Sequence, residues 1–182
     1  DLQRMNRVLA WDPATGLITV EPGVTIEQLW RLIIEDGWWP PVVPGTMYPT
    51  LGGCLGMNIH GKNNYHTGPL GEHVLAFEAL LPTGELVRCT PTDRPDLFYS
   101  LISSAGLLGV FTSITLQTKR LYSGDLAVEA WAAPSLAAML ADVDRVKDSD
   151  YVVGWVDGAQ RGGGLGRGQI HTARYLQPGE DA

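Results

Sequence analysis

Few of the residues that announce a common chemistry are present in this chain. The two cysteines in 182 residues, Cys54 and Cys89, have neither the spacing of a disulfide framework nor the C-x-x-C spacing of a zinc or redox site. Both are read as reduced core residues, since free cysteine behaves as a small hydrophobe, and a cytoplasmic, reducing compartment is the expectation. Charge is equally scarce. Only 18% of residues are charged, the 13 Lys and Arg are scattered, and the net charge is -7, which excludes a groove built to neutralise nucleic-acid phosphates. No apolar run approaches the roughly 18 to 20 residues needed to cross a bilayer, and residues 1–12 (DLQRMNRVLAWD) lack the apolar stretch of a signal peptide, so a soluble chain without a membrane span is expected. His66, His73 and His171, with Glu72 and Glu78 near the first two, show no repeated ligand spacing, and no metal is expected. There is no G-x-S-x-G elbow for hydrolysis. Residues 162–168 (GGGLGRG) satisfy neither G-x-G-x-x-G nor a P-loop and read as a surface loop. No repeat at 20 to 50 residue periods is visible.

What is present suits a buried core: 45% of the residues are hydrophobic, in a length that fits one domain or one domain with part of a second. Residues 17–21 (LITVE) alternate as a strand closed by Pro22-Gly23. Thr25 and Gln28 have the spacing of a capping box for an amphipathic helix through Glu35, ended by Gly37. A short Val42-Val43 strand is expected after the Pro40-Pro41 pair. Residues 73–81 and 86–90, joined by Pro82-Thr83-Gly84-Glu85, read as a β-hairpin. A helix over 96–103 and an alternating strand over 110–118 follow, with Val110, Thr112, Ile114 and Leu116 on one face. Beyond Lys119-Arg120 the pattern restarts as a βαβ-like unit: a strand over 126–131, a helix over 134–146 and a strand over 151–156. A domain boundary is therefore placed near residue 121.

The densest information lies in residues 44–63 (PGTMYPTLGGCLGMNIHGKN), with five glycines, one histidine and one lysine. Glycine is favoured where φ is positive or a ligand must approach the main chain, so the segment reads as a loop rather than a strand or helix. Its many apolar and few charged residues suit a large, flat, partly apolar guest such as a flavin. Residues 44–46 and 50–53 could offer successive N–H groups as an anion nest; the same glycines could equally serve only tight turns. Gly106 to Gly109 could likewise be a helix stop. His60 and Lys62 form the polar pair of interest: an imidazole and an ammonium beside a flavin can orient a hydroxyl, accept its proton or stabilise negative charge. They could instead be a structural histidine and a solvated lysine.

The order of motifs carries a resemblance. VEPGVTIEQL (20–29), PGT (44–46), TLGG (50–53), NIHGKN (58–63), G-x-x-G-x-H-V (68–74) and GLLGV (106–110) together resemble the vanillyl-alcohol-oxidase superfamily of FAD-linked oxidoreductases, over about residues 1–120. The IHGKN block is most similar to the decaprenylphosphoryl-ribose 2′-oxidase family, with alditol oxidases, aldonolactone oxidases and Δ24-sterol reductases as broader relatives. The resemblance implies an α+β, PCMH-type FAD-binding domain over residues 1–120, lacking its first subdomain, and the beginning of an α+β substrate-cap domain over 121–182. Both chain ends are expected to be cut. It implies FAD contact at Gly45, Thr46, Thr50, Leu51, Gly52, Gly53, Met57, Asn58, Ile59, His60, Gly106, Gly109 and Phe111, and places His60 and Lys62 on the catalytic side. The implied activity is hydride transfer from an alcohol carbon of a sugar, polyol or lipid-linked sugar to the flavin. A flavin-dependent C=C reductase of the Δ24-sterol type, or a non-catalytic ligand-binding fragment, is the alternative. The electron acceptor is not legible.

Overall fold

Two units make up the computed structural model, which describes residues 1–181: one of Asp1–Gly61 with Pro69–Arg120, the other of Lys62–Gly68 with the chain from Leu121 onward.

The first unit is organised by a five-stranded sheet. Its strands are β1 (Val8–Asp12), β2 (Leu17–Val20), β4 (Val74–Leu80), β5 (Leu86–Cys89) and β6 (Val110–Gln117), ordered β1-β2-β6-β4-β5. All neighbours are antiparallel. A two-residue β3 (Trp38–Trp39) pairs separately with β7 (Lys119–Arg120). Helix α1 (Ile26–Ile33) starts on the capping box expected from sequence: Thr25 Oγ1 accepts the Gln28 amide at 3.1 Å while Gln28 Oε1 accepts the Thr25 amide at 3.0 Å. The last turn tightens to a 3₁₀ turn over Ile34–Asp36, and Gly37 stops it at φ 77°. The hairpin of β4 and β5 and the helix α4 (Pro95–Leu101) also form as read. Helices α1 and α4 contribute Ile26, Leu29, Ile33, Phe98 and Leu101 to a single core with the sheet residues Ile18, Val20, Phe77, Ile114 and Leu116.

Three expectations fail for physical reasons. Val42-Val43 is not a strand; Trp38–Trp39 is. Prolines 40, 41 and 44 surround the valines and remove the N–H groups a ladder needs. The alternation of β6 breaks, because its register against β4 shifts between Glu78 and Ala79. This bulge puts Phe111 into the core with Ile114 and Leu116 and leaves Val110 exposed. The glycine-rich segment is not loop throughout: residues Leu51–Gly56 form a helix, α2. Propensity argues against it, but Thr50 caps it, its Oγ1 accepting the Gly53 amide at 3.3 Å, and Leu51, Cys54 and Leu55 are buried on one side. Tertiary packing outweighs glycine entropy in so short a helix.

In the second unit the strands β8 (Leu126–Ala133), β9 (Tyr151–Val156) and β10 (Gly168–Tyr175) are ordered β8-β10-β9, with α5 (Leu136–Val146) joining β8 to β9. Both pairings of β10 are antiparallel, so the βαβ pattern is real but its two strands flank a third. Ala133, Met139 and Ile170 form a small core of their own. A short helix α3 (Asn64–Thr67) belongs to this unit. Among the described residues no helix is long and apolar enough to cross a membrane.

Candidate functional site

The site is built on α2. The chain before it docks along the start of α1, where the Ile26 and Glu27 amides donate to Pro49 and Met47 carbonyls at 3.1 and 2.8 Å. The first-turn amides of α2 then find protein acceptors: Leu51 N to Val24 O at 2.7 Å, Gly52 N to Pro22 O at 2.8 Å, and Gly53 N to Thr50 Oγ1. An anion nest over 50–53 is thereby excluded, because those N–H groups point into the protein. Gly52 is small for the same packing: an added Cβ would lie 2.7 Å from the Pro22 Cβ.

The opposite side of α2 meets the turn between α4 and β6. Ser103 N and Ala105 N donate to the Leu55 and Gly56 carbonyls at 3.1 and 2.8 Å, pinning the turn to the end of the helix. Ser103, Ala105 and Gly106 all have positive φ, at 67°, 53° and 76°. For the two non-glycine residues that conformation costs about 1–2 kcal/mol each, and strain of this kind concentrates at ligand sites. Between helix and turn lies a cavity of ≈ 320 Å³, lined by Gly52, Gly53, Gly56 and Met57 on one side and by Ala105, Gly106, Gly109, Val110 and Phe111 on the other. Its lining is predominantly apolar, with no charged residue. Gly53 and Gly56 leave its floor open, an added Cβ meeting only Thr50 Oγ1 at 3.3 Å and Gly106 N at 3.8 Å respectively.

Leu2 forms a further wall. The segment that carries it is tied down by Gly23 N, which donates to Met5 O at 2.7 Å, and by Glu21. This carboxylate is 5% exposed and accepts Arg7 Nη2 at 2.7 Å, Arg7 Nε at 3.1 Å and the Arg7 amide at 2.8 Å. The Arg7 side chain and then its backbone N–H hold the Glu21 carboxyl below its ordinary 4.5. A depressed carboxylate contributes stability that is full above the unfolded value and is lost as pH falls through the folded one. Glu21→Gln is therefore expected to flatten the acid limb of stability below about pH 4.5, the ordinary carboxyl value. Thermal melts from roughly pH 3 to pH 7 check this; an unchanged acid limb would remove Glu21 from the account.

Of the residues expected at the cofactor, Gly52, Gly53, Met57, Gly106, Gly109 and Phe111 converge on the cavity. The others do not line it. Thr50 is the helix cap, Leu51 is buried at 1% exposure, Asn58 Oδ1 accepts the Gly71 amide, and Ile59 packs on the core. Gly45, Thr46 and His60 are exposed. Lys62 belongs to the second unit, where its Nζ stands 5.6 Å from the Trp155 ring centroid, within cation–π range. Leu2, Gly56, Ala105 and Val110 were missed. Gly56 could have been found, since it follows Gly52 by four residues and Gly53 by three, the spacings that bring helix positions to one side. Cys54, on the buried side of α2, has its thiol pushed up to about 11 by burial, so it stays protonated and is no nucleophile at neutral pH. No group of three His, Cys, Asp or Glu able to hold a metal occurs among the described residues.

A slot with a glycine floor, apolar walls and no charge fits a planar ring rather than a phosphate, and its volume lies in the range of small-molecule pockets. Residues 1–90 match the model of an FAD binding domain. The chain is 31% identical to decaprenylphosphoryl-beta-D-ribose oxidase of Mycolicibacterium smegmatis, over 93% of this chain and 38% of that protein. It is 30% identical to the putative D-arabinono-1,4-lactone oxidase of Neurospora crassa, over 68% of this chain and 22% of that one. With the Delta(24)-sterol reductase of Homo sapiens it shares 34% identity over 60% of this chain and 21% of that protein. The chain thus spans at most 38% of the length of these relatives. On the domain match, residues 1–90 belong to the FAD binding domain family, and the chain, an α+β fold, is similar along its length to PCMH-type, FAD-linked oxidoreductases.

Proposed function

We propose that the protein oxidises a CH–OH carbon of a sugar, polyol or lipid-linked sugar, with residues 1–120 as its FAD-binding domain and residues 121–182 as the beginning of its substrate domain. The observation that carries this reading is the apolar slot between the glycine face of α2 and the strained 103–106 turn. FAD, when bound, supplies the two-electron redox chemistry. Gly53, Gly56, Met57, Gly106 and Phe111 would hold its planar ring, and Leu2 would keep water from it. His60, exposed at the exit of α2, would accept the substrate's hydroxyl proton, and Lys62 would stabilise negative charge. The substrate class rests on the printed names of the two oxidases. Identity to a Delta(24)-sterol reductase favours a second reading, reduction of a C=C bond.

The test is the visible spectrum of the full-length protein, before and after denaturation and filtration, followed by anaerobic mixing with polyols and sugar alcohols. Flavin bands that bleach with an alcohol are the expected result. Bleaching by no alcohol, with reoxidation of the reduced protein by an unsaturated sterol, would favour the second reading. Absence of flavin after FAD addition would remove both.

A further inference from the structure

Helix α2 ends in an unusual way for so glycine-rich a segment. Ile59 N donates to Cys54 O and Asn58 N to Leu55 O, both at 3.0 Å, the hydrogen-bond pair of a Schellman cap with Asn58 at its left-handed position, φ 43°. Glycine is the default there because it has no Cβ penalty. With five glycines in residues 44–63, an asparagine at this position points to use of its side chain. That use is visible: Asn58 Oδ1 accepts the Gly71 amide at 2.8 Å, and next to it Ile59 O accepts the Leu70 amide at 2.9 Å. Residue 71 is kept small for the contact, since a Cβ there would lie 2.9 Å from both Asn58 Oδ1 and Ile102 Cγ2. The exit of α2 is thus stitched to residues 70–71 on one side and packed on the core through Ile59.

His60 is the first residue beyond this clamp. Its imidazole makes no hydrogen bond to any described residue, so only the backbone beneath it fixes where it stands. We propose that Asn58 is the positioning residue for His60: its amide oxygen, by holding Gly71, sets the backbone from which the imidazole reaches the flavin. The assignment rests on the proposed flavin-side role of His60, and it gives Asn58 a task other than touching the cofactor. Reactive groups need supports locked by their own hydrogen bonds, and this latch is such a support.

Two variants separate the side chain from the backbone. Asn58→Gly keeps the left-handed conformation and removes the acceptor; Asn58→Asp keeps an acceptor oxygen. The readout is the imidazole ¹⁵N–¹H signals of His60 in the full-length protein, assigned by their loss in His60→Gln, before and after FAD is added to the apoprotein. The wild type and Asn58→Asp are expected to show a shift on FAD addition. Asn58→Gly is expected to bind FAD with unchanged affinity, to lose that shift, and to exchange its Gly71 amide about tenfold faster, as loss of one hydrogen bond implies. A wild-type shift retained in Asn58→Gly overturns the positioning role. Failure of His60 to respond to FAD in the wild type overturns the flavin-side reading of His60 itself, a separate outcome seen without any variant at residue 58.

Discussion

Leucine in place of Gly56 is expected to leave the apoprotein folded and to abolish FAD retention. Gly56 is buried and lies on the cavity floor, and an added Cβ would meet only Gly106 N at 3.8 Å. The side chain would grow into the ≈ 320 Å³ slot, covering apolar surface, while Gly→Leu in a helix gains about 0.5–1 kcal/mol of propensity. Both effects raise the apoprotein's melting temperature or leave it unchanged. The same carbons would fill the space proposed for the planar ring, and a loss of FAD affinity of at least a hundredfold, about 3 kcal/mol, is expected. Gly52→Leu is the control, four residues away with the opposite outcome. Its Cβ would run into Pro22 at 2.7 Å, so it should lower stability. Flavin absorbance of the purified variants and their melting curves check the pair. Wild-type FAD affinity in Gly56→Leu would mean that the ring binds elsewhere.

The contrast between Gly52 and Gly56 also shows how far the sequence could be read. Signals confined to neighbouring residues were legible: the Thr25–Gln28 capping box, the hairpin over Pro82–Glu85 and the left-handed stop at Gly37. What depends on distant partners was not. The helix α2 exists because Leu51, Cys54 and Leu55 reach a core supplied by other elements, which no window of glycine-rich sequence reveals. Strands β1 and β10 were missed for the same reason, each being defined by its pairing rather than by its own pattern. At the site, six residues named from the motif order line the cavity, while the side chains of Thr50, Leu51 and Asn58, named with them, cap, pack and latch. Leu2 could not be found by spacing, since the Glu21 and Gly23 contacts that bring its segment to the cavity join parts of the chain with no shared motif.

Phe77→Ala is expected to cost about 3–5 kcal/mol, the range for deleting a buried aromatic ring. Phe77 is 1% exposed and sits on β4, beside Ile114 of β6 on one edge and Cys89 of β5 on the other. Its ring stacks on Phe98 of α4 at 5.1 Å and 10° and meets the edge of Phe111 at 4.9 Å and 75°. Such pairs contribute roughly 0.5–1.5 kcal/mol each beyond buried area, and neither partner can follow a shrinking side chain, because α4 and the bulged β6 hold them. Against a typical total of about 5–15 kcal/mol, the variant should be marginally folded at best. Phe77→Leu keeps most of the volume without the ring and is expected to cost about 1.5 kcal/mol. Urea unfolding followed by tryptophan fluorescence weights the first unit, which holds Trp11, Trp30, Trp38 and Trp39; Trp131→Phe and Trp155→Phe, in the second unit, remove the remaining signal. Because Phe111 continues from this cluster into the cavity lining, loss of its support should also weaken FAD binding in Phe77→Leu, where the fold survives. A loss below about 1 kcal/mol for the alanine variant, under the usual range for core truncation, would mean that the site collapses freely and that the aromatic cluster is not the support of the cavity wall.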